Sequence, residues 1–173
     1  MSAQGKIDEK ISLAPFDPQW ARSYEFEVTR IRKKLNTTCI NFAHIGSTAV
    51  PNMYAKPIVD IMIGIEDFSH PEQFVSKLES IGYEYLGEAG VPGRLYLRLR
   101  GKENYNIALC QYGRDIWIAN LRFRDYLINN PDVAENYSAI KKKAFEEGIN
   151  TLLEYSKFKH AFIEEIIRQN SVL

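Results

Sequence analysis

The stretch from Pro57 to Ile65 most narrows what this chain can fold into. It is apolar at odd and even positions alike, apart from Asp60. A strand with no polar face belongs at the centre of a sheet that is covered on both sides. The same stretch is far too short to span a bilayer. Its one acid sets a second constraint, because burying a carboxylate without a partner costs several kcal/mol. Asp60 therefore needs a cation, a buried hydrogen-bond network or the solvent of a pocket. One solution is a purely structural bond to a neighbouring lysine, arginine or backbone group, and Lys56 is the nearest cation in sequence.

The remaining pattern places that strand in an α+β domain covering residues 1–173. Ile11 to Leu13 reads as a short strand. Asp17-Pro18 marks a helix start, and Trp20, Tyr24, Val28, Ile31 and Leu35 recur at helical spacing up to Asn36. Thr38 to Ile45 reads as a strand broken by Gly46-Ser47. Ser69 and Glu72 have capping-box spacing ahead of a helix with Phe74, Val75 and Leu78 inward, stopped at Gly82. Arg94 to Arg100 alternates, with Leu95, Leu97 and Leu99 on one face and Arg94, Tyr96, Arg98 and Arg100 on the other. Tyr105 to Cys110 is the next strand. Three helices follow: one capped by Asp115, one beginning at Asn130-Pro131, and one opened by Thr151 and Glu154.

Lys+Arg and Asp+Glu are both 22, and this balance argues against a protein that coats nucleic acid. Cys39 and Cys110 lie in apolar runs and read as buried free thiols, as in reducing cytoplasm. Met1 to Lys10 has no apolar signal core. The expected setting is soluble and cytoplasmic, without membrane contact.

Gly46-Ser47 leaves a strand, where a glycine lets backbone N–H groups and a hydroxyl approach a phosphate. Most such turns are structural. Arg94 and Arg98 share a strand face that is either an anion-binding patch or a solvated surface. His44 either fixes the turn by hydrogen bonding or contacts a ligand. Lys141-Lys142-Lys143 reads as a solvated helix face, and His70 and His160 as incidental.

Taken together, His44-Ile45-Gly46-Ser47-Thr48-Ala49-Val50-Pro51 and Ala55-Lys56-Pro57-Ile58-Val59-Asp60-Ile61 resemble the hallmark segment of the GrpB family. Leu13 to Trp20, Gly90 to Arg94, Phe123 to Leu127, and Tyr155, Lys159 and Phe162 resemble other parts of that family in the same order. The family also occurs joined to dephospho-coenzyme A kinases. The resemblance implies a nucleotidyltransferase (DNA polymerase β-like) fold, with a mixed sheet flanked by helices and a C-terminal helical cluster. In that superfamily a Gly-Ser turn holds a triphosphate, and paired strand carboxylates hold magnesium. Carried over to this chain, Gly46, Ser47, Lys56, Arg94 and Arg98 would bind a nucleotide or phosphate. Asp60 would be the catalytic acid and, with Asn106, the metal ligand.

The chain departs from that pattern in two places. Strand side chains alternate, so a second acid is expected at position 62, where Met62 stands. The next strand carries Asn106-Ile107-Ala108 where the resemblance implies a His-x-His pair. Two functions follow. One is a nucleotide- or phosphate-binding domain, as a degenerate nucleotidyltransferase. The other is a non-catalytic accessory module acting through a small ligand, a protein partner or a second copy of itself.

Overall fold

The computed structural model describes residues 7–169. The first residues of the polar opening segment, 1–6, lie outside that range. Asp17 starts the first helix as its sequence suggests: the Gln19 N–H donates to Asp17 Oδ1 at 2.8 Å, satisfying one of the free donors of the first turn. Helix α1 (Gln19–Leu35) ends at Asn36, whose backbone is left-handed at φ 49°. Strand β1 (Ile40–Ile45) runs into a single 3₁₀ turn, Ser47–Ala49. Strand β2 (Val59–Ile65), helix α2 (Glu72–Glu79), a two-residue β3 (Glu84–Tyr85), β4 (Leu95–Leu99) and β5 (Tyr105–Gln111) follow. The chain finishes with α3 (Asp115–Asn129), α4 (Pro131–Glu146) and α5 (Leu152–Gln169).

The strands form one mixed sheet in the order β1-β2-β5-β4-β3. β2 pairs antiparallel with β1 and parallel with β5, while β4 pairs antiparallel with β5 and β3. β2 is thus flanked on both edges, as its two-sided apolar sequence requires. Val59, Ile61, Ile63 and Ile65 point with Tyr105, Ile107, Leu109 and Leu97 into the main core, which also receives Val28, Ile31 and Leu35 from α1 and Phe74, Val75 and Leu78 from α2. Fully burying one such aliphatic side chain stabilises the fold by about 1.5–3 kcal/mol. The opposite face is apolar only towards β1, where Ala43, Ile45, Met62 and Cys110 pack against Trp117 of α3. Gly64 makes room for that indole: a Cβ there would lie 2.7 Å from the Trp117 ring.

Several local expectations change. Ile11 to Leu13 forms no strand; isolated bridges join Lys10 to Thr151 and Ala14 to Ala55 instead. Ser69 does not cap α2, which starts after Pro71, because both its amide and its hydroxyl turn back to Asp67 Oδ1. Asp115 lies in the first turn of α3 rather than capping it. The Thr151 hydroxyl reaches the Glu154 carboxylate at 3.4 Å, not a backbone amide. Cys39 is exposed, since the strand it was expected to join starts only at Ile40; Cys110 is buried. Among the described residues, no helix is long and apolar enough to cross a membrane.

Candidate functional site

Strand register sets Asp60 opposite Ile45 on one side and Asn106 on the other. Ile45 is the last residue of β1, so the chain bends at Gly46 directly beside the carboxylate. Gly46 has φ +71°, and a Cβ on it would lie 2.4 Å from Asp60 Oδ2. Glycine is required there twice over, by backbone conformation and by contact.

Asp60 belongs to a polar chain across β5 and β4. Asn106 Nδ2 donates to Asp60 Oδ1 at 2.7 Å. Tyr96 Oη donates to Asn106 Oδ1 at 2.8 Å, and Arg100 donates to the same oxygen at 2.9 Å. Arginine can only donate and a carboxylate only accept, so these neighbours fix which way the amide points. Arg100 also forms a two-pronged pair with Glu9, at 3.0 and 2.6 Å. This pair and the charge of Arg98 hold the Glu9 carboxyl below its usual range, against the opposing effect of burial.

The Asn106 oxygen therefore faces two donors, not an open position. On Asp60's own strand the next side chain on this face is Met62, fully buried against Ala43, Ile45, Cys110 and Trp117. A magnesium pair needs several convergent oxygens, and these residues do not supply them. Among the described residues no group of three or more His, Cys, Asp or Glu is gathered for a metal ion.

What surrounds Asp60 instead is a cavity of about 500 Å³, within the size range of small-molecule sites. Gly46, Ser47, Lys56, Asp60, Arg94 and Asn106 line it, so six of the residues singled out from sequence come together. Arg98 is not among the lining residues. Its Nε donates to Glu84 at 2.8 Å, and its NH1 lies 3.3 Å from the Ile7 carbonyl and 3.6 Å from Glu9.

The C-terminal helices close the cavity and bring Arg124 from α3 and Lys159 from α5. Neither stood out as a site residue from sequence. Lys159 and Lys56 approach the same Tyr155 ring, with Nζ 5.4 and 5.9 Å from its centroid. Burial, and then the charge of Lys159, lower the Lys56 ammonium to about 8, with Asp60 working the other way. Lys159 is lowered too, by burial, with Asp60 opposing. Arg94 lies over the Tyr96 ring and donates to the carbonyls of Glu88 and Ala89, while its buried Nε has no partner.

Behind the turn is a residue expected on a solvated face. Lys141 on α4 is 1% exposed. Its ammonium donates to Ser47 Oγ at 3.0 Å and to the Tyr54 carbonyl, and it lies 4.5 Å from the centre of the Tyr137 ring. Burial, then the charges of Lys159 and Lys56, push it down to about 6. The expectation for Lys142 and Lys143 does not extend to this neighbour because α4 turns position 141 towards the sheet. His44 braces the same turn. Its Nε2 is 3.0 Å from Thr48 Oγ1, its ring stacks on Tyr24, and Arg124 donates to its carbonyl at 3.0 Å. Burial lowers His44 to about 4, so it is neutral at neutral pH.

Comparison with known proteins agrees with this architecture. Residues 10–169 match the family described as GrpB protein. The crystal structure of the conserved protein GrpB from Enterococcus faecalis is 33% identical, with a TM-score of 0.82 over 91% of this chain and 96% of that one. The Bacillus subtilis protein YqkA is 30% identical over 156 residues, 90% of this chain but 46% of YqkA, so the chain spans about half the length of that relative. Terminal uridylyl transferase 4 from Trypanosoma brucei, solved with bound CTP, superposes with a TM-score of 0.54 at 14% identity, over 98% of this chain and 54% of that one. The last likeness is one of fold: a mixed α+β, nucleotidyltransferase-like domain with C-terminal helices.

Proposed function

The chain belongs to the GrpB family, and from that premise we propose that its cavity binds a nucleotide or another phosphorylated small molecule. The observation that carries this reading is the charge of the lining: Lys56, Arg94, Arg124 and Lys159 surround a single carboxylate, Asp60. A cavity with that imbalance selects anions, and partial burial strengthens each contact. The phosphate would rest at the Ser47 end of the turn, where the Ser47 hydroxyl is already oriented by Lys141. Arg94 contributes its guanidinium to the same lining. Aromatic and aliphatic walls from Phe123, Tyr137, Tyr155 and Ile163 suit a less polar moiety of the same ligand. The reading is one of binding. No transfer step follows from it, because Met62 occupies the place of the second strand carboxylate.

A thermal-shift panel of nucleoside mono-, di- and triphosphates, coenzyme A and pyrophosphate tests it. A ligand at a hundred times its Kd stabilises the native state by about 2.7 kcal/mol, and for a domain of this size that raises Tm by roughly 5–10 °C. Arg94→Met is expected to remove most of the shift. No shift with any phosphorylated compound would leave the accessory-module reading in its place.

A further inference from the structure

The same cavity departs from the metal-dependent pattern in a way that points to the form of its ligand. Polyphosphate sites usually neutralise phosphate charge with a divalent metal held by strand carboxylates. Here one carboxylate stands alone, and the neighbouring amide oxygen is taken by Tyr96 and Arg100. Two ammonium groups come to one part of the lining from separate elements. Lys56 arrives from the loop before β2, and Lys159 from α5, and both approach the Tyr155 ring. Each feels the attraction of Asp60, and Lys56 feels the repulsion of Lys159. Among the described residues neither ammonium makes an ion pair or a side-chain hydrogen bond; both lie near that aromatic face and in the field of Asp60, and Lys56 also feels Arg100 and Glu9. Two ammonium groups gathered at one ring, neither in an ion pair among the described residues, mark a place for an anion.

We propose that Lys56 and Lys159 stand in for the divalent metal, so that the cavity takes a pyrophosphate or polyphosphate group in its metal-free form. The inference rests on the phosphate-binding reading above. Charge balance supports it. With both lysines protonated, four cations against one carboxylate leave a surplus of three around the cavity, of which Arg124 shares part with the exposed Asp125. A free diphosphate group, with about three negative charges, matches that surplus better than its magnesium complex, with about one. In this arrangement Asp60 is a positioning residue. It holds the two lysines in place electrostatically, and its own charge works against the ligand.

Isothermal titration calorimetry with inorganic pyrophosphate and with ADP, each in EDTA and again in excess magnesium, decides the matter. The expected result is binding in EDTA that is weakened about tenfold by magnesium. Lys159→Met should weaken the metal-free binding by about tenfold or more, with Lys56→Met as the second variant if the first loses its fold. Asp60→Asn should tighten binding about threefold, whereas a metal ligand at that position would make the same change cost about a hundredfold. Binding that requires magnesium, or weaker binding by Asp60→Asn, overturns the inference and leaves the phosphate-binding reading intact. No binding of either probe in either buffer overturns both.

Discussion

The two faces of the sheet each meet an acid, and they treat it in opposite ways. On the α1–α2 side Glu27 is 2% exposed and fully engaged. It accepts from Arg30 at 2.9 and 2.6 Å and from the Tyr83 hydroxyl at 2.7 Å, and Arg30 also ties to the Ile81 carbonyl. On the α3–α5 side the Asp60 carboxylate accepts one side-chain hydrogen bond among the described residues, from Asn106, and looks onto a cavity that Lys56, Arg94, Arg124 and Lys159 also line. A buried acid whose partners are complete is part of the scaffold. An acid left with spare lone pairs beside open space is part of a site. Glu27 is engaged from α1 and the segment before β3, Asp60 from β5.

The largest test of this contrast removes one acid from each face. Glu27→Ala leaves the buried Tyr83 hydroxyl and the half-buried Arg30 without their acceptor and should cost about 3 kcal/mol in urea denaturation, while Asp60→Asn keeps a group of the same shape and should cost about 1 kcal/mol or less. Comparable losses at both positions would erase the distinction. Next in size is Gly46→Ala, which meets both a positive φ and the Asp60 carboxylate. A loss of about 1–3 kcal/mol, together with loss of the ligand-induced thermal shift, is expected.

The smallest effect separates the faces by pH. Burial holds Lys141 at about 6 against its usual 10.5, so the unfolded chain binds more protons across that interval. Stability should therefore rise with pH from about 6 upwards, by at most about 1.4 kcal/mol per pH unit for one proton. Lys56, lowered to about 8, adds to the rise only at higher pH. Denaturation midpoints measured between pH 6 and 8 should climb in the unaltered protein and flatten in Lys141→Met. An unchanged slope would show that the Lys141 amine keeps its charge in the fold.

The N-terminal half of the site was legible because it breaks a pattern. Asp60 interrupts an apolar strand, and Gly46-Ser47 interrupts the path to it, so both are conspicuous before any packing is known. The mixed α+β architecture was legible for a similar reason, since strand and helix periods differ. The C-terminal half was not, because a lysine on a helix is by default a solvated lysine. A signal was present nonetheless. Lys141 falls between Tyr137 and Ala144, and Lys159 between Tyr155 and Phe162, so both lie on the inward stripe at spacings of three and four. Glu27 sits on the stripe of α1 in the same manner, between Tyr24 and Ile31. Arg98 shows the converse. Its strand face was read rightly, but that face extends beyond the cavity to Glu84, and only the pairing of β3 with β4 settles where the cavity stops. The two residues of β3 are too few for periodicity to detect.

Lys141 has a consequence for how this domain can be cut or borrowed. Ser47 belongs to a bend between two strands, yet the amine that holds its hydroxyl comes from a helix 94 residues further along the chain. A sheet transplanted with its bend alone would carry the serine without its holder. The smallest portable version of the cavity therefore extends at least through α4, and an excised N-terminal half would lose the site's chemistry while keeping the sequence that most advertises it.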